Sequence, residues 1–242
     1  ADGYVSRIKI SAYGFGKTLY ITHPNGYVSV YAHLDRFNKE LAAFTKKKHY
    51  EQESFELNIF PEKDLLKVSK GEVIGYSGNS GYSFGPHLHF EIREEANQKP
   101  LNPLFFGFRV KDFIRPKISS LTVYPATRGV EVNGKTEPFS YNVEGWGEKY
   151  RLPGKDTLRV TGPVYLGIET HDLLNDAKNK NGVYSVEIRK SGETVFLFRA
   201  DSFSFSETRY INSLIDYGKY IDNGQRIIRS KIDPNNLLSM YG

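Results

Sequence analysis

Cysteine is absent from all 242 residues. Its absence removes disulfides, thiolate zinc sites and cysteine nucleophiles together. Long hydrophobic runs are also missing. No apolar stretch reaches about 18 residues, so no helix encoded here is expected to span a membrane. No signal-peptide pattern is visible at the start. What the chain has in quantity is tyrosine and phenylalanine, 17 and 16 residues, which suits strand-rich cores. Its six histidines are unevenly placed, and three fall in alternating segments.

The run Gly85-Pro86-His87-Leu88-His89-Phe90-Glu91-Ile92-Arg93 reads as a strand. Side chains two apart on a strand share a face. His87, His89 and Glu91 are therefore expected on one face, with Leu88, Phe90 and Ile92 in a core behind it. Two imidazoles about 7 Å apart can serve as one metal ligand and one acid–base group. A second alternating strand, Gly26 to Leu34, puts Val28, Val30, Ala32 and Leu34 on one face. Tyr27, Ser29, Tyr31 and His33 fall on the other. Between them, Lys70 to Gly81 reads as a short apolar strand followed by a Gly/Ser/Asn loop, of the kind that allows close backbone approach.

The series Tyr31-Ala32-His33-Leu34, then Gly71-Glu72-Val73-Ile74-Gly75-Tyr76-Ser77-Gly78-Asn79-Ser80-Gly81, then Gly85-Pro86-His87-Leu88-His89-Phe90-Glu91 resembles the M23 peptidase family. These are the lysostaphin-like, LytM-type zinc endopeptidases of bacterial cell walls. The pieces Ala1 to Val5 and Leu19 to Gly26 also fit that family's early strands, so the resemblance covers roughly residues 1 to 105. It implies a lysostaphin-like antiparallel sheet, here lacking its N-terminal part, and one Zn²⁺. The zinc would be held by an early His-x-x-x-Asp pair and by the second histidine of His-x-His, here His89. His87 and His33 would sit beside it as catalytic groups. Histidine and carboxylate ligands suit zinc with one position open for water.

The departure from the pattern is that no His-x-x-x-Asp occurs in these 242 residues. Four residues beyond His23 stands Tyr27. The expectation is that the ligand pair lies upstream of Ala1 in an active parent and that this fragment by itself is incomplete and inactive. His33, His87 and His89 all persist, and a degenerate site has little reason to keep all three. The alternative is a non-catalytic LytM-like module that binds or activates other wall enzymes.

Other motifs carry less. Gly14-Phe15-Gly16-Lys17-Thr18 lacks the phosphate-loop glycine, since Ser11 stands at that position, and reads as a hairpin turn. His23 precedes the turn signal Pro24-Asn25-Gly26. His49, after three lysines, reads as solvated, and His171 as structural or exposed. Glu91 is either a partner of a metal-binding histidine or a plain strand carboxylate.

Two domains are expected. Residues 1–112 form the M23-like domain, with an insertion at about 36–66 whose first part, 36–48, is helical. That insertion either borders the groove, packs a partner or decorates the surface. Residues 113–242 form an Ig-like β-sandwich of unassigned role, joined through Phe105 to Pro116. Its strands are read at 117–124, 157–160, 163–169, 183–188 and 194–198, with a hairpin turn at 190–193 and a short helix within 207–223. The resemblance implies peptidoglycan peptide stems as partners, with a D-amino-acid cross-link favoured over a glycine bridge. It implies a periplasmic or other extracytoplasmic place in the cell envelope, and a second envelope protein as a partner of the sandwich. The formal charge of +5 suits an anionic wall and is no nucleic-acid footprint.

Overall fold

The computed structural model describes residues 1–154 and 157–242. Contacts divide the chain into two compact units, Ala1–Phe106 and Gly107–Gly242. The chain is mainly β, with antiparallel pairing throughout the described ladders. No described helix is long and apolar enough to cross a membrane.

The first unit is one eight-stranded sheet. Its strands are β1 (Gly3–Ile10), β2 (Lys17–Thr22), β3 (Tyr27–Phe37), β4 (Leu57–Ile59), β5 (Lys67–Val68), β6 (Gly75–Ser77), β7 (His89–Glu94) and β8 (Pro100–Leu101). The order is β4-β1-β2-β3-β7-β8, with β5 on β1 and β6 on β3. The Pro24-Asn25-Gly26 signal makes the β2–β3 hairpin. Gly14 to Gly16 lie in the β1–β2 connection, the turn expected there, and Lys17 and Thr18 open β2.

Helix α1 (Lys39–Gln52) starts where the Asn38 side chain accepts a hydrogen bond from the Leu41 amide at 2.9 Å. It ends at Glu53, which takes the left-handed conformation. His49 is not simply solvated. Its Nδ1 donates to the Ser54 carbonyl at 2.7 Å, tying the helix end to the chain leaving it.

Each face of the sheet has its own apolar cluster. Leu19, Ile21, Leu34, Phe37 and Leu41 pack together with Val5 and Ile8. Tyr20, Val28 and Val30 form the cluster on the other face. This corrects the simple alternation expected for β3. Leu34 joins the cluster of Leu19 and Tyr31, not that of Val28 and Val30. The cause is His33, whose φ of 57° is left-handed. A single such residue slips the period-two pattern, and everything after it changes face. Because Leu41 and Phe44 belong to the Leu34 cluster, α1 packs on the face opposite Val30.

The second unit holds β9 (Lys117–Pro125), β10 (Phe139–Asn142), β11 (Glu144–Trp146), β12 (Lys149–Arg151), β13 (Val164–Leu173), β14 (Lys180–Asn181), β15 (Ser185–Lys190), β16 (Glu193–Arg199) and β17 (Ile227–Arg229). It also holds α2 (Ile211–Leu214) and α3 (Tyr217–Asn223). One sheet runs β10-β9-β13-β14 with β17 on β13, and β11–β12 and β15–β16 are separate pairs. That pairing does not by itself amount to the two packed sheets of an Ig-like sandwich. The expected turn at 190–193 is present, with Ser191 and Gly192 both at positive φ. The strand expected at 157–160 is reduced to a bridge between Val160 and Val132. There Asn133 replaces a ladder neighbour, its side-chain oxygen accepting from the Arg159 amide at 3.0 Å.

Candidate active site

His33, His87 and His89 come together. The ring centroids of His33 lie 4.8 Å from His87 and 5.8 Å from His89. Three local features achieve this. First, β7 pairs with β3 so that His89 stands opposite Ala32, Glu91 opposite Val30 and Arg93 opposite Val28. Directly opposed residues share a face, so His89 lies on the Val30 side. Alternation would place His33 on the Tyr31 side. The left-handed turn of its own backbone brings its ring round toward His89 instead. Second, His33 is buried at 5% exposure, although alternation alone put it on the polar face of the strand. Third, His87 is not within the strand. It makes an isolated bridge to Gly78, its amide donating to the Gly78 carbonyl at 3.0 Å. Leu88, expected in the core, is 47% exposed, because regular pairing begins only at His89.

Each imidazole has one nitrogen committed to an acceptor, and this sets its tautomer. His33 Nδ1 donates to the Ser80 carbonyl at 2.8 Å. His87 Nδ1 donates to the Gly85 carbonyl at 2.9 Å, with Ser83 Oγ at 3.2 Å. His89 Nε2 donates to Glu91 Oε1 at 2.6 Å. In the neutral rings the lone pairs are then at Nε2 of His33, Nε2 of His87 and Nδ1 of His89. The first two suit proton acceptance and the third suits metal ligation.

Glu91 is the half-hidden element of this arrangement. Its side chain is 13% exposed and receives Arg93 Nε at 2.6 Å as well as His89. Burial pushes its carboxyl pKa up, but hydrogen bonds from His89 and Arg93 and the charge of Arg93 outweigh that and hold it below the ordinary value. Arg93 is in turn covered by the Tyr20 ring, 5.5 Å from its guanidinium carbon. Of the two sequence readings of Glu91, the plain exposed carboxylate is excluded. Replacing Glu91 with Ala should cost about 3 kcal/mol, since it strips a buried guanidinium of its carboxylate. It should also release the His89 proton from Nε2, read as loss of the fixed-tautomer pattern in ¹⁵N spectra of the imidazole. A spectrum unchanged from wild type would show that Glu91 does not set that tautomer.

Sequence reading missed Phe15 and Ser80. The Phe15 ring lies 4.5 Å from His89 and edge-on to His33 at 6.1 Å, and its carbonyl accepts the His33 amide at 2.9 Å. Ser80 Oγ donates to the Leu34 carbonyl at 2.7 Å and accepts the Lys17 amide at 2.9 Å. The Ser80 carbonyl is thereby fixed on His33. The flanking Gly14 and Gly16 were the only sequence hint at Phe15.

A tetrahedral zinc site needs three protein donors converging on a point. Among the described residues no group of three His, Cys, Asp or Glu side chains could hold a metal ion. The chain supplies His89 Nδ1 in the right chemical form, but these residues alone do not make a zinc site.

Residues 58–103, which include His87 and His89, match the family model described as Peptidase family M23. A DD-carboxypeptidase/endopeptidase Mpg of Neisseria meningitidis is 34% identical over 104 residues, 43% of this chain and 18% of that protein. An uncharacterized metalloprotease of Haemophilus influenzae is 33% identical over 108 residues, 43% of this chain and 17% of that protein. The matched part thus spans less than a fifth of either relative. Among solved structures, the catalytic domain of the antimicrobial peptidase lysostaphin from Staphylococcus simulans is 24% identical, with a TM-score of 0.31 over 44% of this chain and 65% of that one. The N-terminal unit is thus similar in sequence to the peptidase M23 family, on the family model over residues 58–103 and on these two relatives.

Proposed function

We propose that the N-terminal unit is the histidine side of a zinc-dependent endopeptidase site that hydrolyses peptide cross-links of bacterial peptidoglycan outside the cytoplasm. The observation that carries this reading is the gathering of three histidines, each with one nitrogen fixed as donor and the other left with a lone pair. The family match and the relative named as a DD-carboxypeptidase/endopeptidase support it. His89 contributes one zinc ligand through Nδ1. His33 and His87 exchange protons with the attacking water and the tetrahedral intermediate. When bound, zinc supplies Lewis acidity and a water that ionises near neutral pH. Its other ligands, the His-x-x-x-Asp pair implied by the family resemblance, are not in these 242 residues, and His89 by itself gives zinc one protein donor of the three it needs. Tyr82 and Phe84, 70% and 98% exposed on the loop leading to His87, offer apolar edges to a peptide stem.

The test uses the complete translation product of the coding region. Metal analysis should find close to one zinc per chain. Cleavage of cross-linked muropeptides should stop with a chelator and return with Zn²⁺. A product without zinc that binds muropeptides and leaves them intact would overturn the reading. It would establish a second one, a binding or activating module, which the lack of a metal-holding group among the described residues favours.

A further inference from the structure

The second unit contains a cavity of about 400 Å³ unrelated to the histidine cluster. Such a volume is within the range of small-ligand sites. Phe198, Leu214 and Ile228 are among its apolar lining residues, and His171, Lys180 and Arg226 line it as well. Lys180 and Arg226 enter no ion pair among the described residues. Arg226 instead lies over the Tyr220 ring at 5.6 Å. The acid among the lining residues, Glu169, already accepts hydrogen bonds from Ser120 Oγ at 3.0 Å and Gln225 Nε2 at 3.4 Å.

A further observation concerns Asn181, which also lines the cavity. Its Oδ1 accepts from Asn179 at 3.0 Å, while its Nδ2 is buried with no hydrogen-bond partner. A buried unpaired donor costs about 1–3 kcal/mol, so an incoming acceptor oxygen is favoured there. The local field is positive as well. Burial, and then the charges of Lys180 and Lys117, lower the His171 pKa, against opposing Glu169 and Asp172.

We propose that this cavity binds a carboxylate carried on an apolar body, with Lys180, Arg226 and the Asn181 amide receiving the carboxylate and Phe198, Leu214 and Ile228 receiving the body. The shared chemistry has two sources, the free C-terminus of a short peptide or a simple aliphatic acid. An anion beside two cations and a neutral amide is stabilised by charge-assisted hydrogen bonds, and the apolar lining residues favour a ligand that carries an apolar body.

The test is a ¹H–¹⁵N NMR titration of the chain with N-acetyl-alanyl-leucine, its C-terminal amide, and hexanoate. Saturable shifts are expected at the Asn181 side-chain amide and at Gly182. The amide should bind at least about 10-fold more weakly. Lys180→Glu with Arg226→Glu, both at exposed positions, should weaken the acid by a similar factor while leaving the remaining spectrum in place. Should that variant unfold, the acid–amide comparison on the wild-type chain still decides. Tighter binding of the dipeptide assigns the site to peptide ends, and equal or tighter binding of hexanoate assigns it to simple acids. Equal affinity for acid and amide, or no saturable shift at the cavity residues, overturns the proposal.

Discussion

Replacing His87 or His33 with alanine in the complete translation product is expected to lower turnover by about 10²- to 10⁴-fold, the usual contribution of a positioned acid–base group. Zinc content should stay as in wild type, because neither side chain is assigned as a ligand. The two variants should differ in a second respect. His87 is exposed and bonds to a nearby loop carbonyl, so its removal leaves the fold untouched. His33 is buried and holds the Ser80 carbonyl, so its loss also leaves a cavity and an orphaned acceptor. Its stability should drop by about 1–3 kcal/mol. His89→Ala, by contrast, should remove zinc and activity together. Turnover in the His33 and His87 variants equal to wild type would sink the role assignment. Loss of zinc from the His87 variant would make it a ligand instead.

The second large effect concerns the backbone that carries His33. Gly81 has φ of 76°, and a Cβ there would collide with the Gly16 nitrogen. Gly16 has φ of 62°, and its Cβ would collide with the Ser80 carbonyl carbon. Both contacts are with main chain, which cannot swing aside as a side-chain tip can. Gly81→Ala therefore combines left-handed strain with a backbone clash and should destabilise the first unit by about 3–5 kcal/mol. Gly14→Ala isolates the conformational part. Gly14 has φ of 62° with nothing within 4 Å of an added Cβ, and its replacement should cost only about 1 kcal/mol. Hydrogen exchange measured by peptide separates the two. Under Gly81→Ala, protection should fall across residues 15–34 and 77–92, and peptides from the second unit serve as internal reference. Equal behaviour of Gly81→Ala and Gly14→Ala would mean that the loop yields to the added methyl and that the close approach does not hold the site.

What the sequence determined by itself was local or compositional. The alternation of apolar and polar residues marked β3 and β7, since the pleat has a fixed period of two. Turn chemistry located the hairpins at Pro24-Asn25-Gly26 and Ser191-Gly192, because few residues accept positive φ. His33, His87 and His89 were named as candidates before any geometry, and the lack of a His-x-x-x-Asp is a property of the letters alone. The tertiary structure decided everything that depends on where one segment meets another. The left-handed backbone at His33 is tied down by Phe15 and Ser80, 18 and 47 residues away in sequence by their numbers, and no local propensity announces it. That one residue reversed the face assigned to Leu34 and brought the His33 ring toward His89. Likewise the Glu91 pattern fitted a surface strand equally well. Only the pairing of β7 with β3, and the Tyr20 ring over Arg93, buried it and gave it command of the His89 tautomer. Periodicity reports which residues share a face of a regular strand. Bulges, close backbone crossings and buried polar contacts are set by partners distant in the chain, and so become legible only in the folded molecule.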